Sequence, residues 1–109
     1  MRFADLTTNE KEMVLKAGLA RYVVHRAEVP TDPWDRGQFL GKLGHTLDAA
    51  VRTADPGFTN TSTTRWVGYT RGILARGEKR SNRGWDSYPT HMQAITEKIA
   101  DHLEAYVTA

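Results

Sequence analysis

The sequence predicts an all-α fold, a compact four-helix domain formed by residues 1–109. Three observations predict it. Apolar residues recur at helical spacings of three and four in four separate segments. Capping residues precede these segments, and no run of alternating β-branched residues indicates a strand. We find no internal repeat and no linker long enough to divide the chain, so we predict a single domain.

The first helix is predicted to begin at a capping box, in which Thr7 caps the helix and Glu10 reaches back to its backbone N–H. The helix should stop before Val29 and Pro30, because the residue before a proline avoids the helical region. One predicted apolar face holds Met13, Ala17, Ala20, Val24 and Ala27. The residues that widen it are Leu15, Leu19, Tyr22 and Val23. Such a helix is either central in the bundle or also buried against a second chain.

The second helix is predicted from Asp32 as its cap and Pro33 at its first position. Its apolar face holds Leu40, Leu43, Leu47, Ala50, Val51 and Ala54. Its neighbouring face holds Gly37, Gly41 and Gly44. Each glycine costs about 1 kcal/mol inside a helix, so we predict that another backbone approaches closely there. The alternative is a helix that frays or starts late. The wide first helix and this glycine face could each form a closed dimer interface, and we expect a homodimer.

The third helix is predicted to follow a polar run at residues 59–64. The fourth is predicted to follow an exposed loop at residues 78–88. Gly77 has the residue type that closes a helix, and Thr90 with Gln93 forms a second predicted capping box. The third helix buries Trp66, Val67, Thr70, Ile73 and Leu74. The fourth buries Met92, Ile95, Ile99, Leu103 and Tyr106.

The net charge of +2 conceals a strong asymmetry along the chain. Residues 65–85 contain six basic residues and one acidic residue, a local net charge of +5. Three aromatic residues, Trp66, Tyr69 and Trp85, lie in the same stretch. Arginine binds phosphate through a planar fork and stacks on rings, and basic residues interleaved with aromatics are typical of nucleic-acid surfaces. The predicted binding residues are Thr64, Arg65, Tyr69, Arg71, Arg76, Lys79, Arg80, Arg83 and Trp85.

The predicted function is that of a small regulatory or accessory protein that contacts nucleic acid. Helices 2 and 3, joined through the turn at residues 55–57, could form a helix-turn-helix whose second helix presents residues 61–65 and Tyr69 to the bases. Two alternatives use the same arginines. The chain could be a helical module, such as a bacterial or phage-encoded inhibitor, immunity or adaptor protein, that binds an acidic partner. The basic helix could also pair with the acidic face of the last helix, formed by Glu97, Asp101 and Glu104.

Several function classes are disfavoured by the composition. The absence of cysteine excludes disulfides, thiolate metal sites and a cysteine nucleophile. The four histidines form no His-Glu-x-x-His unit, and no phosphate-binding loop of the Gly-x-x-x-x-Gly-Lys type occurs. We therefore predict a non-enzymatic protein without metal or cofactor. The N-terminal segment has no apolar run of signal-peptide or membrane-span length, so we expect a cytoplasmic location without membrane contact.

Overall fold

The computed structural model describes residues 1–77 and 87–107, which form a short 3-10 turn followed by four α-helices. The turn is Phe3–Asp5, and the helices are α1 Thr8–His25, α2 Pro33–Ala54, α3 Thr63–Arg76 and α4 Thr90–Val107. No strand occurs in this part of the chain. The radius of gyration of 13.0 Å is that of a compact chain of this length. The predicted all-α four-helix fold is confirmed.

The first two helices begin at the caps that the sequence predicted. In the capping box of α1, the Glu10 N–H donates to Thr7 Oγ1 at 3.1 Å, and the Thr7 N–H donates to Glu10 Oε1 at 2.9 Å. The bond from the Thr7 backbone N–H lowers the pKa of the Glu10 carboxyl. The Asp32 carboxylate accepts the Asp35 N–H at 3.0 Å, with Pro33 in the first turn of α2. Each cap satisfies a backbone donor that the helix leaves without an internal partner.

Helix α3 is capped by Ser62, whose hydroxyl accepts the Arg65 N–H at 3.0 Å, and ends before Gly77, whose φ is 81°. Only glycine adopts such a φ without strain, which confirms its predicted position. Helix α4 begins one residue earlier than a Thr90 cap requires, because the Pro89 carbonyl already accepts the N–H of Gln93 at 3.0 Å. The Gln93 side chain instead donates to the Tyr88 carbonyl at 2.8 Å.

The buried side of α4 ends at a different residue from the one predicted. Tyr106 is 60% exposed, whereas Val107 is buried. From the fully buried Leu103, a spacing of four residues leads to Val107 along the same face. The prediction that Tyr106 lies in the core was therefore wrong, and its ring packs beside His102 with the ring centres 4.6 Å apart.

Helix α1 is the central element of the bundle. It packs against both α3 and α4, and every residue in 10–24 is buried or half-buried. Its deepest residues include Leu15, Leu19 and Tyr22, whereas Met13 and Ala17 of the predicted face are only half-buried. The wide apolar surface of α1 is thus covered within the chain. It no longer argues for a homodimer, which remains a prediction.

Glycines allow close packing at two helix crossings. A Cβ added to Gly44 would lie 2.7 Å from the Thr63 carbonyl oxygen, so the backbones of α2 and α3 approach closely there, as predicted. Gly18 makes room on α1 for a side chain of α4, because an added Cβ would lie 2.8 Å from Ile99 Cβ. Nothing lies within 4 Å of such an atom at Gly37 or Gly41. The predicted close approach was wrong at these two positions.

Candidate nucleic-acid interface on helix α3

Helix α3 has a buried face and an exposed face. Trp66, Thr70 and Ile73 are buried. The exposed positions, which we call the outer face of α3, are Thr64, Gly68, Arg71, Ala75 and Arg76. Thr64, Gly68, Arg71 and Ala75 recur at helical spacings of three and four, so they form one continuous strip. Arg76 follows at the end of the helix, on the side of Gly72. The buried face therefore fixes which predicted binding residues reach solvent.

Trp66 anchors α3 from behind. It is fully buried, and its indole N–H donates to Thr61 Oγ1 at 2.8 Å. The Thr61 hydroxyl in turn donates to Asp48 of α2 at 2.8 Å. Thr61, predicted to face the bases, is thus buried and committed to this chain of hydrogen bonds. Trp66 belongs to the core and offers no ring for stacking on a base.

Arg65 is engaged inside the molecule. Its Nη2 lies 2.6 Å from Glu12 Oε2 of α1, and its guanidinium carbon lies 5.3 Å from the ring centres of both Trp66 and Tyr69. About a quarter of its side-chain surface, 27%, is exposed to solvent. Because the charge is paired and the planar group packs on rings, Arg65 is placed to hold α3 against α1.

Tyr69 lies between two cations. Lys16 of α1 places its ammonium 4.7 Å from the ring centre, and Arg65 lies on the same ring. Both contacts are of the cation–π type. The ring of Tyr69 is therefore occupied by side chains of the chain itself, so it is poorly placed to stack on a base. Its neighbour Lys16 adds a positive charge beside α3 that the sequence pattern did not reveal.

Arg71 and Arg76 differ from Arg65 because both are exposed, and neither forms an ion pair within the described residues. Helix α3 contains no acidic residue at all. The Arg76 guanidinium folds back over Gly72, where an added Cβ would lie 3.0 Å from its Nη1. The outer face of α3 is therefore a cationic strip with small residues between its two arginines.

Two shallow grooves border the outer face of α3. The groove toward α1 is lined by Ser62, Thr64, Arg65, Gly68, Tyr69, Gly72 and Arg76. The groove toward α2 is lined by Pro33, Arg36, Gly37, Leu40, Arg71, Leu74 and Ala75. Arg36 was not among the predicted site residues, because its proximity to Arg71 depends on how α2 packs on α3. Each groove thus carries arginine, and the second also has an apolar floor.

The acidic face of the last helix pairs with α1. Arg21 lies 2.8 Å from Glu97, and Arg26 contacts Glu97, Asp101 and Glu104. The hydrogen bond to Asp101, supported by the charges of Glu97 and Glu104, raises the pKa of the Arg26 guanidinium. The alternative in which these acids neutralise the basic third helix was therefore wrong for the described arginines of α3.

The structure does not establish a helix-turn-helix. Helices α2 and α3 are packed neighbours, but residues 55–62 separate Ala54 from Thr63. This connection is longer than the turn of about three or four residues in that motif. Lys79, Arg80, Arg83 and Trp85 lie outside the described residues. Of the predicted residues on α3, Thr64, Arg65, Tyr69 and Arg76 line one groove, whereas Arg71 lines the other.

Within residues 1–77 and 87–107, no group of three or more histidine, aspartate or glutamate side chains could hold a metal ion. None of the helices described is both long and apolar enough to cross a membrane. Comparison of the chain with protein-family models, curated proteins and solved structures gives no match.

Proposed function

We propose that this protein binds nucleic acid through the outer face of α3, as a non-enzymatic regulatory or accessory protein. One observation carries the proposal: α3 contains three arginines and no acidic residue, and Arg71 and Arg76 are exposed without ion pairs among the described residues. Cations that are not neutralised within the protein are free to replace the counterions of a phosphate backbone. Lys79, Arg80 and Arg83 follow α3 in the sequence and extend the cationic stretch.

The outer face favours contact with phosphates over recognition of bases. Thr64 and Gly68, which precede Arg71, and Ala75, which lies between Arg71 and Arg76, are small, so a phosphate backbone can come close to the helix beside the arginines. Arg65 and Tyr69, which would have served for base recognition, are occupied by Glu12 and Lys16. Phosphate contacts fix position and carry no direct sequence information. We therefore propose binding that depends strongly on salt and weakly on sequence.

The test is the salt dependence of binding to duplex DNA. Each phosphate neutralised contributes about −0.9 to the slope of log affinity against log salt, so three to five contacts give about −3 to −4.5. Replacing both Arg71 and Arg76 by glutamine should flatten that slope by about 1.8. Fluorescence anisotropy with a labelled duplex, repeated with duplex RNA, measures the slope directly.

A charge-matched control separates the outer face from net charge. The double variant Arg2→Gln/Lys98→Gln also removes two exposed cations, but neither residue lies on α3. We expect it to keep most of the salt slope. Equal losses in the two double variants would reject the α3 face as the binding surface. Absence of binding at about 150 mM salt, where the screening length is about 8 Å, would reject nucleic-acid binding itself.

A second candidate function is favoured by the groove between α2 and α3. Leu40 and Leu74 line this groove together with Arg36 and Arg71, and Trp34, next to the groove residue Pro33, is 73% exposed. Exposed tryptophan and arginine are the residue types that most often contribute strongly to protein interfaces. These residues would suit an acidic protein segment with apolar side chains, and the chain would then act as an inhibitor or adaptor.

Trp34 distinguishes the two candidate functions. The variant Trp34→Ala leaves every arginine in place, so phosphate binding should keep its affinity and its salt slope. A protein partner captured from nuclease-treated lysate should instead be lost with Trp34→Ala and with Arg36→Gln. Retention of such a partner by both variants would contradict the protein-binding candidate.

A further inference from the structure

A cleft of about 280 Å³ lies on the side of α1 that faces α2, α4 and the N-terminal turn. Four of its wall residues, Leu15, Leu47, Val51 and Ile95, are buried core residues. The remaining lining residues are Met1, Arg2, Phe3, Ala50, Ala54, Lys98, Ile99 and His102. No residue of α3 lines the cleft, so it is separate from the proposed nucleic-acid interface.

The walls and the mouth of the cleft differ in chemistry. The walls are apolar, whereas the exposed polar lining residues are Arg2, Lys98 and His102. No acidic side chain lines the cleft. Lys98 has no ion pair within the described residues, whereas Arg2 pairs with the exposed Asp5 at 3.6 Å. The opening therefore carries positive charge that the cleft itself leaves uncompensated.

Small side chains keep this space open. Ala50 and Ala54 of α2 line the cleft one helical turn apart, and Ala50 is half-buried while Ala54 is exposed at the opening. An apolar cleft of this kind forfeits the dispersion contacts that a filled core would have. A ligand with an apolar body would restore those contacts and release water from the walls. The volume is near the lower end of the roughly 300–1,000 Å³ range of small-molecule sites, which favours a small ligand.

We propose that the cleft binds a small anionic amphiphile, a molecule with an apolar chain and a single carboxylate or phosphate head. The chain would lie against Leu15, Leu47 and Val51, and the head would lie between Arg2 and Lys98. The charge of the opening selects an anion, because a cationic head would face like charges and a neutral head would gain no ion pair. This proposal is independent of the nucleic-acid proposal, since the two sites share no residue.

The probe is decanoate at concentrations below micelle formation, with decyl phosphate, decanol and decyltrimethylammonium as comparison ligands. Calorimetry should show binding of both anions, weaker binding of decanol and none of the cation. The double variant Arg2→Gln/Lys98→Gln should weaken decanoate binding about tenfold, as expected for the loss of two exposed ion pairs, and should leave decanol unchanged. Equal affinity for decanoate and decanol in the unaltered protein would overturn the assignment of an anionic ligand.

Filling the cleft tests the position of the apolar chain. Ala50→Phe should abolish binding of decanoate and decanol alike, and Ala54→Phe should do so without altering a buried position. Circular dichroism checks that each variant keeps its helix content. The Arg71→Gln/Arg76→Gln double variant is the charge-matched control and should bind decanoate normally. Unchanged decanoate binding in folded Ala50→Phe and Ala54→Phe would show that the ligand lies elsewhere and would overturn the proposal. Salt-dependent binding of duplex DNA is measured separately, so either proposal can fail alone.

Discussion

Arginines occupy two regions of this molecule in opposite circumstances. Between α1 and α4, Arg21 and Arg26 are partly buried and contact the carboxylates of Glu97, Asp101 and Glu104. Arg26 accommodates several acids at once because its guanidinium has five N–H donors in a fixed plane. These charges are satisfied within the chain, and they join two helices that are distant in sequence.

On α3 the same residue type is left exposed. Arg71 and Arg76 have no carboxylate partner within the described residues, and α3 has no acid of its own. Only Arg65, at the edge nearest α1, is paired, through Glu12. The comparison shows that residue type alone does not identify a binding arginine. The presence or absence of an internal partner separates arginines that hold the fold from those available to another molecule.

The largest expected effect tests whether the buried face of α3 is packed against the core through Trp66. Trp66→Ala should lower the free energy of unfolding by about 3–5 kcal/mol, the typical loss for a large aromatic removed from a core. The indole is fully buried and hydrogen-bonded to Thr61. Urea denaturation measures the change. Trp34→Ala is the matched control, because Trp34 is 73% exposed and its loss should cost less than about 0.5 kcal/mol. Similar losses in both variants would contradict the assigned orientation of α3.

The second prediction compares the loss of an arginine between α1 and α4 with the loss of one on α3. Arg26→Ala should lower the free energy of unfolding by about 1 kcal/mol, since it removes one of the two partners of the half-buried Glu97, whereas Asp101 and Glu104 are exposed and lose little. Nucleic-acid binding should be retained. Arg71→Ala should do the reverse, with a stability change within about 0.5 kcal/mol and weaker binding. Denaturation and anisotropy on the same two variants check both halves. A destabilised Arg71→Ala protein would mean that this arginine has a structural role after all.

The contrast between these regions also marks how far the sequence could predict the structure. Caps at Thr7 and Asp32 were predictable because a cap and its backbone donor lie within three residues. The Arg65–Glu12 pair joins residues 53 positions apart. Whether Arg65 is free therefore depends on how α1 packs on α3, which no local pattern records. The pairing of the α4 acids with α1 was missed for the same reason. The spacing of charges shows that they share one face of α4, but it does not show which helix packs against that face.

Residues at the centre of the core were predicted better than residues at its edge. Leu103 and Ile95 of α4 are buried as the apolar stripe predicted, whereas Tyr106, one turn later, is exposed. A polar tip makes tyrosine acceptable at either position, so the stripe alone could not decide between Tyr106 and Val107. On α2, glycine at three positions suggested one close contact, but only Gly44 meets another backbone. Gly37 and Gly41 face open space, and nothing in the fold explains them.

The smallest expected effect comes from replacing one glycine on α3 and one on α2. It compares the outer face of α3 with another exposed part of the surface. Gly68 of α3 and Gly41 of α2 both have open space where a Cβ would stand. Alanine at either position should raise the free energy of unfolding by up to about 1 kcal/mol, because glycine is the poorer helix former. Thermal denaturation of the two single variants should show similar gains.

Their effects on binding should differ. If a phosphate backbone approaches α3 between Arg71 and Thr64, the methyl group of Gly68→Ala lies in its path, and affinity should fall by a fewfold although the protein is more stable. Gly41→Ala adds the same methyl group to α2, outside the outer face of α3, and should bind as the unaltered protein does. Because both variants gain stability, a loss of affinity in Gly68→Ala cannot arise from unfolding. Equal affinity in the two variants would show that the ligand contacts only the arginine tips and does not approach the α3 backbone.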